Sequence, residues 1–127
     1  MRRRKLLIAD DSEMNRAILA NVLDQEFEVI EATNGQEVII ALQSYGTQIS
    51  ALLLDIVMPE MDGFEVLEEM NRRHWIEDIP TIMISAETSN TYIDRAFELG
   101  ASDYISRPFV PGIVRRRIIN TILLHTK

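Results

Sequence analysis

Ala51-Leu52-Leu53-Leu54-Asp55-Ile56-Val57-Met58-Pro59 is the stretch that decides how this chain folds. The short apolar run before the aspartate predicts a strand over Ser50 to Leu54, apolar enough to be buried on both faces. A carboxylate placed directly after it ends the strand and meets solvent at the strand's C-terminal tip. In open α/β sheets that edge is where ligands bind. Three further polar signals fall at equivalent places. Asp10 and Asp11 follow Leu6-Leu7-Ile8-Ala9, Ser85 follows Thr81-Ile82-Met83-Ile84, and Arg107 follows Tyr104-Ile105-Ser106.

Outward from there, strand-like runs alternate with segments of helical period. Leu6 to Ala9 reads as a strand, and Ser12 caps a helix with Met14, Ala17, Ile18, Val22 and Leu23 on one face. Glu28 to Ala32 is a second strand, followed by a helix from Gln36 to Tyr45 that Gly46 closes. Asp62-Gly63 opens a helix carrying Phe64, Val66, Leu67 and Met70. Thr81 to Ile84 is the fourth strand, Thr88 to Leu99 a helix, and Asp103 to Ser106 a short fifth strand. Pro111 starts a last helix with Val114, Ile118, Ile119, Ile122 and Leu123. Five β-α units imply one α/β domain over residues 1–127, a parallel sheet with helices on both faces and right-handed crossovers.

The bulk numbers narrow the function. A chain of 127 residues fits one domain with a real core. A net charge of −7 argues against general binding of nucleic acid or anionic membrane. Two local basic runs, Arg2-Arg3-Arg4-Lys5 and Arg115-Arg116-Arg117, read as solvated flanks. The second has an alternative, ion pairing across a dimer with Asp94 or Glu98. Without cysteine, disulfides, thiolate zinc sites and cysteine nucleophiles are excluded. No apolar run is long enough to span a bilayer, and Leu6 to Ala9 is too short for the apolar region of a signal peptide, so a cytoplasmic protein is expected.

The strand ends carry the chemistry. Neighbouring strands in a doubly wound sheet bring Asp10, Asp11 and Asp55 together. Three such charges are tolerable if a hard cation is shared or a proton is taken up. Magnesium suits the set, because it prefers oxygen, takes few carboxylates and accepts phosphate oxygens. With the charge neutralised, Asp55 becomes a plausible nucleophile toward a phosphoryl group, with Ser85 donating its hydroxyl and Arg107 its positive charge.

Taken together, Ile8-Ala9-Asp10-Asp11, Leu54-Asp55-Ile56-Val57-Met58-Pro59-Glu60-Met61-Asp62-Gly63, Ile84-Ser85-Ala86, Gly100-Ala101-Ser102-Asp103-Tyr104 and Arg107-Pro108-Phe109 resemble the receiver domain of bacterial two-component response regulators, of the chemotaxis-regulator type. The resemblance spans essentially the whole chain. It implies a flavodoxin-like (βα)5 sheet of order 2-1-3-4-5. It implies Asp55 as phosphoacceptor, Asp11 as a direct ligand of Mg2+ (or Mn2+), Asp10 as a ligand through water and the Val57 carbonyl as the remaining protein ligand. Ser85 and Tyr104 match the switch pair, in which the aromatic turns inward after Ser85 moves toward the phosphoryl group. Val57 and Glu87 stand where the family tunes phosphoryl hydrolysis. The implied partner is a sensor histidine kinase or phosphotransfer protein. The implied output surface is the fourth helix, fifth strand and fifth helix, which could also form a homodimer. No direct nucleic-acid or membrane partner is expected.

One position departs from the family pattern, which has lysine where this chain has Arg107. Arginine is longer and planar and can take two oxygens at once. A cis Arg107-Pro108 bond is the corresponding expectation. The alternative to a phosphorylation-dependent switch is a degenerate receiver, an interaction module that needs no phosphorylation. An enzyme in its own right fits less well. Aspartate-nucleophile phosphatases place a second acid two residues on, where Val57 stands, and no phosphate-cradling G-x-x-x-x-G-K loop occurs. Only Mg-dependent self-phosphorylation and autodephosphorylation are expected. The long last helix could continue as a connector, which would make this the N-terminal part of a longer signalling protein.

Overall fold

The computed structural model describes residues 3–126. Arg2, the first residue of the N-terminal basic run, lies outside them. Five strands, β1 (Arg4–Ala9), β2 (Phe27–Ala32), β3 (Ile49–Leu54), β4 (Thr81–Ser85) and β5 (Asp103–Ser106), alternate with α1 (Glu13–Leu23), α2 (Gly35–Tyr45), α3 (Gly63–Arg72), α4 (Asn90–Glu98) and α5 (Pro111–His125). A single 3-10 turn, Gly46–Gln48, precedes β3. All strand pairs are parallel, in the order β2-β1-β3-β4-β5. This is the flavodoxin-like order expected.

Side chains alternate across the sheet and divide the core in two. Leu7, Leu52, Leu54 and Met83 pack under α2, α3 and α4 with Val38, Leu42, Leu67 and Met70. Leu6, Ile8, Leu53, Ile82 and Ile105 pack under α1 and α5 with Leu19, Leu23, Val114, Ile118 and Ile122. Because both faces are covered, β3 is apolar from Ala51 to Leu54 and β4 from Ile82 to Ile84, up to their polar C-terminal ends.

Local chemistry sets where the helices begin. Ser12, Asn34, Asp62 and Ser89 each accept a bond from a backbone N–H in the first turn. Asp62 and Glu65 form a reciprocal capping box. The Ser89 cap makes α4 start at Asn90 rather than at the expected Thr88. The largest departure is in α1. Met14 is 72% exposed and Ile18 41%, and Ala17 is exposed too, while Leu19 and Leu23 are buried. The apolar residues there make two stripes, and the sheet takes the one containing Leu19. In α5 the expected Val114, Ile118 and Ile122 are buried, but Leu123 faces out.

Two glycines hold the loops against the sheet. A Cβ on Gly63 would lie 2.4 Å from the Asp55 carbonyl oxygen and 2.8 Å from the Ile56 Cα. A Cβ on Gly35 would lie 2.4 Å from the Met61 carbonyl oxygen. The Gly63 amide donates to the Ile56 carbonyl at 2.7 Å, so the start of α3 is bound directly to the end of β3. Gly63→Ala is expected to lower stability by about 1–3 kcal/mol, the usual scale of overpacking. Urea unfolding checks it, with the loss appearing as a lower midpoint at unchanged slope.

Candidate functional site

Strand register builds the site. Ala9 stands opposite both Ala32 and Leu54, so the residues that follow, Asp10 and Asp55, leave the sheet side by side. Each is anchored by its amide. Asp10 N–H donates to the Ala32 carbonyl at 3.1 Å, and Asp55 N–H to the Ala9 carbonyl at 3.0 Å. At the other side Ser85 pairs with Ser106, and the Arg107 amide donates to the Ser85 carbonyl at 2.9 Å. The Arg107-Pro108 bond is cis, as expected.

The structure brings Asp10, Asp11, Asp55 and Arg107 together. One carboxylate oxygen from each aspartate lies within 4.8 Å of the others. Asp10 is 1% exposed and Asp55 3%, whereas Asp11 is open to solvent. Asp10 Oδ1 accepts from the Ser12 amide at 2.8 Å, and Asp55 Oδ1 more weakly from the Val57 amide at 3.4 Å. The guanidinium of Arg107 holds the other two oxygens. One terminal nitrogen donates to Asp10 Oδ2 and the other to Asp55 Oδ2 at 3.3 Å.

Burial dominates the electrostatics. It pushes the Asp55 carboxyl up from 3.8 to about 6. Arg107 opposes the rise, Asp10 adds to it, and the amides of Val57 and Ile56 oppose it. Three hard oxygen donors with no nitrogen or sulfur among them suit Mg2+ or Mn2+ rather than a softer ion.

Ser85 is buried at the end of β4, and its hydroxyl accepts from the Glu87 amide at 3.2 Å. Tyr104 is buried as well, and its phenol donates to the Glu87 carbonyl at 2.6 Å. Tyr104 thus already occupies an inward position. Burial raises its phenol above the ordinary 10.0, with the Ser85 hydroxyl acting against the shift. Val57 has its side chain in solvent. Met58 and Met70 are core residues, Met61 packs against the core from its loop, and His74 is exposed.

Three contributions escaped the sequence reading. The backbone of Glu87, rather than its side chain, joins Ser85 to Tyr104. Arg16 donates to the Asp10 carbonyl at 2.7 Å and to Glu31 at 2.9 Å. Its position one turn after the Ser12 cap was the available signal. Arg95 lies 4.3 Å from the centre of the Phe64 ring, and Tyr92 meets the same ring edge-on at 5.5 Å. In the basic run of α5, Arg115 pairs with Glu26 and Arg117 with Asp103, both within the chain.

Comparison with known proteins agrees with this geometry. The response regulator receiver domain model matches residues 6–119. This chain belongs to the response regulator receiver domain family. It is 40% identical over 114 residues to response regulator RR06 of Streptococcus pneumoniae, covering 89% of this chain and 50% of that protein. It is 39% identical over 116 residues to the transcriptional regulatory protein SrrA of Staphylococcus aureus, covering 90% of this chain and 46% of that one. The receiver thus spans about half the length of these curated relatives. In fold it matches a CheY-like receiver domain from Methanospirillum hungatei, with a TM-score of 0.89 at 22% identity over 98% of both chains. The receiver assignment is consistent with a phosphorylation-dependent switch, and nothing favours the degenerate alternative.

The raised Asp55 carboxyl has a consequence for stability. The folded receiver binds this proton more tightly than the unfolded chain does, so its contribution to stability falls as pH rises from 3.8 through about 6. In chelator, Asp55→Asn is therefore expected to raise the melting temperature at pH 8 by a few degrees, about 1 kcal/mol or more. The gain should shrink toward pH 5. Thermal melts of both proteins across that range check it.

Proposed function

We propose that this receiver is the phosphoacceptor of a two-component system and that Asp55 takes the phosphoryl group from a histidine kinase or phosphotransfer protein. The carrying observation is a set of convergent carboxylates, two of them buried, with one guanidinium donating to both buried members. An Asp55 carboxylate oxygen attacks phosphorus, the bond from phosphorus to the donor histidine nitrogen breaks, and the electron pair returns to the imidazole. The product is an aspartyl phosphate.

Asp10, Asp11, Asp55 and the Val57 carbonyl are the groups that would hold Mg2+ or Mn2+. Bound there, the ion neutralises charge between carboxylates and phosphoryl oxygens. Arg107 binds phosphoryl oxygens through its fork, and Ser85 donates its hydroxyl to one of them. A bond from Ser85 to the phosphoryl group pulls on the Glu87 amide and, through the same peptide segment, on the carbonyl that accepts from Tyr104. Tyr104 then favours its buried position, and the α4-β5-α5 surface carries the output. The Glu87 and Val57 side chains tune hydrolysis by the access they leave to water.

The chemistry is limited to self-phosphorylation from small donors and autodephosphorylation. The described residues include no helix long and apolar enough to cross a membrane, and a cytoplasmic setting belongs to this reading. So does a longer parent protein, because the relatives are about twice as long. One of them is named as a transcriptional regulator, so an output segment acting on DNA is part of the proposal, the receiver itself making no nucleic-acid contact. Arg115 and Arg117 are engaged within the chain, so a homodimer through α4-β5-α5 would rest on the exposed Tyr92, Phe97 and Ile113 more than on this basic run.

Incubation with a small phosphodonor and Mg2+, read by intact mass and phosphate-affinity gel, tests the core of the reading. Wild type is expected to gain one phosphoryl group in a Mg2+-dependent manner and Asp55→Asn none. No adduct in wild type, with beryllofluoride also leaving the spectrum of the folded site unchanged, would rule out Asp55 as acceptor.

A further inference from the structure

Arg107 donates to Asp10 and to Asp55 from two different nitrogens, and the oxygens it takes are those the backbone leaves over. Asp10 and Asp55 also belong to the three-carboxylate set that suits a hard divalent ion. A cation and the guanidinium are therefore drawn to the same two carboxylates. The guanidinium is not fully satisfied where it sits. Its Nε is buried and, among the described residues, is the one buried side-chain polar atom without a hydrogen-bond partner. Its side chain is 19% exposed, at the rim rather than sealed in, so it has a way out.

We propose that Arg107 is a tethered cation that closes the carboxylate site of the resting receiver and must leave Asp10 before a divalent ion can bind. Resting on the metal reading above, this gives Arg107 two stations. In the first it bridges Asp10 and Asp55. In the second, freed from Asp10, it is available to phosphoryl oxygens. A lysine would close the site less firmly, because one compact ammonium must meet both carboxylates from a single nitrogen, whereas the fork reaches them with two. Arginine here thus sets the ion concentration at which the receiver becomes competent.

Mn2+ is the probe, titrated into wild type, Arg107→Lys and Arg107→Gln at fixed ionic strength and pH 7.5, with free ion read by electron paramagnetic resonance. Arg107→Lys keeps the charge and removes the two-nitrogen fork. It is expected to bind Mn2+ about five- to tenfold more tightly than wild type, the scale of one net hydrogen bond, with Arg107→Gln at least as tight. Equal affinity in wild type and Arg107→Lys, with only Arg107→Gln tighter, would mean that charge alone acts and would overturn the bridge. That result would leave the metal site standing, whereas no Mn2+ binding in any variant would remove both ideas. If Arg107→Gln fails to fold, the lysine comparison decides by itself. A second reading uses wild type alone. In a Mg2+ titration followed by NMR of the arginine Nε–H groups, the Arg107 signal should move and saturate with the ion. A signal that stays fixed while Mg2+ binds would contradict displacement.

Discussion

Two carboxylates, Asp10 and Asp55, are buried at the ends of paired strands, and much of the local structure follows from keeping them there. Charges that close repel, and burial removes the water that would screen them. The fold answers with positively polarised groups from separate parts of the chain. The Ser12 and Val57 amides face one oxygen of each carboxylate. Arg107 reaches the other two from beyond β5. Even so, the Asp55 carboxyl stays well above the ordinary range. The compensation is incomplete, and an incompletely compensated carboxylate is poised to accept a cation or a covalent partner. The cost to stability and the proposed reactivity have the same origin.

The rest of the molecule makes that arrangement rigid on one side and yielding on the other. At the β3 end, Gly63 lies against the Asp55 carbonyl with no room for a Cβ. Behind it, α3 buries Phe64, Val66, Leu67 and Met70. By contrast, α4 buries only Ala96. What ties α4 to the body includes the Tyr92 ring edge and the Arg95 guanidinium on Phe64, together with an exposed Arg95–Glu68 pair at 3.6 Å. Exposed pairs of that kind contribute about 0–1 kcal/mol. A helix with so little buried surface can shift at low cost, and it is the helix that follows the Ser85–Glu87 segment.

How far this was legible in the sequence depended on the range of the interaction concerned. Strands announced themselves because a doubly covered parallel sheet demands continuous apolar runs, and Leu52-Leu53-Leu54 had no other plausible use. Polar residues at the ends of those runs located the site, because sheet geometry fixes where a strand's C-terminal tip goes. The inward face of α1 was misread because Met14 and Ile18 continue an apolar period as well as Leu19 and Leu23 do. The Arg107 fork was further out of reach. It joins residues 97 and 52 positions apart. Sequence showed an arginine in place of a lysine, but not which oxygens it would take.

The Glu87 peptide shows why side-chain reading alone undercounts a switch. Its amide meets Ser85 and its carbonyl meets Tyr104, so one residue's backbone links the two side chains assigned to switching. Replacing the Glu87 side chain leaves both bonds intact, which is why a residue type at this position says little about coupling. In the proposed switch, a pull on Ser85 would reorient a short segment of main chain, and the buried phenol of Tyr104 has that carbonyl as its acceptor. Turned outward, Tyr104 would regain water as a partner but lose its buried ring contacts. Turned inward, it keeps the contacts only while the carbonyl stays within reach. In the proposed switch, a new bond at Ser85 would bias that exchange.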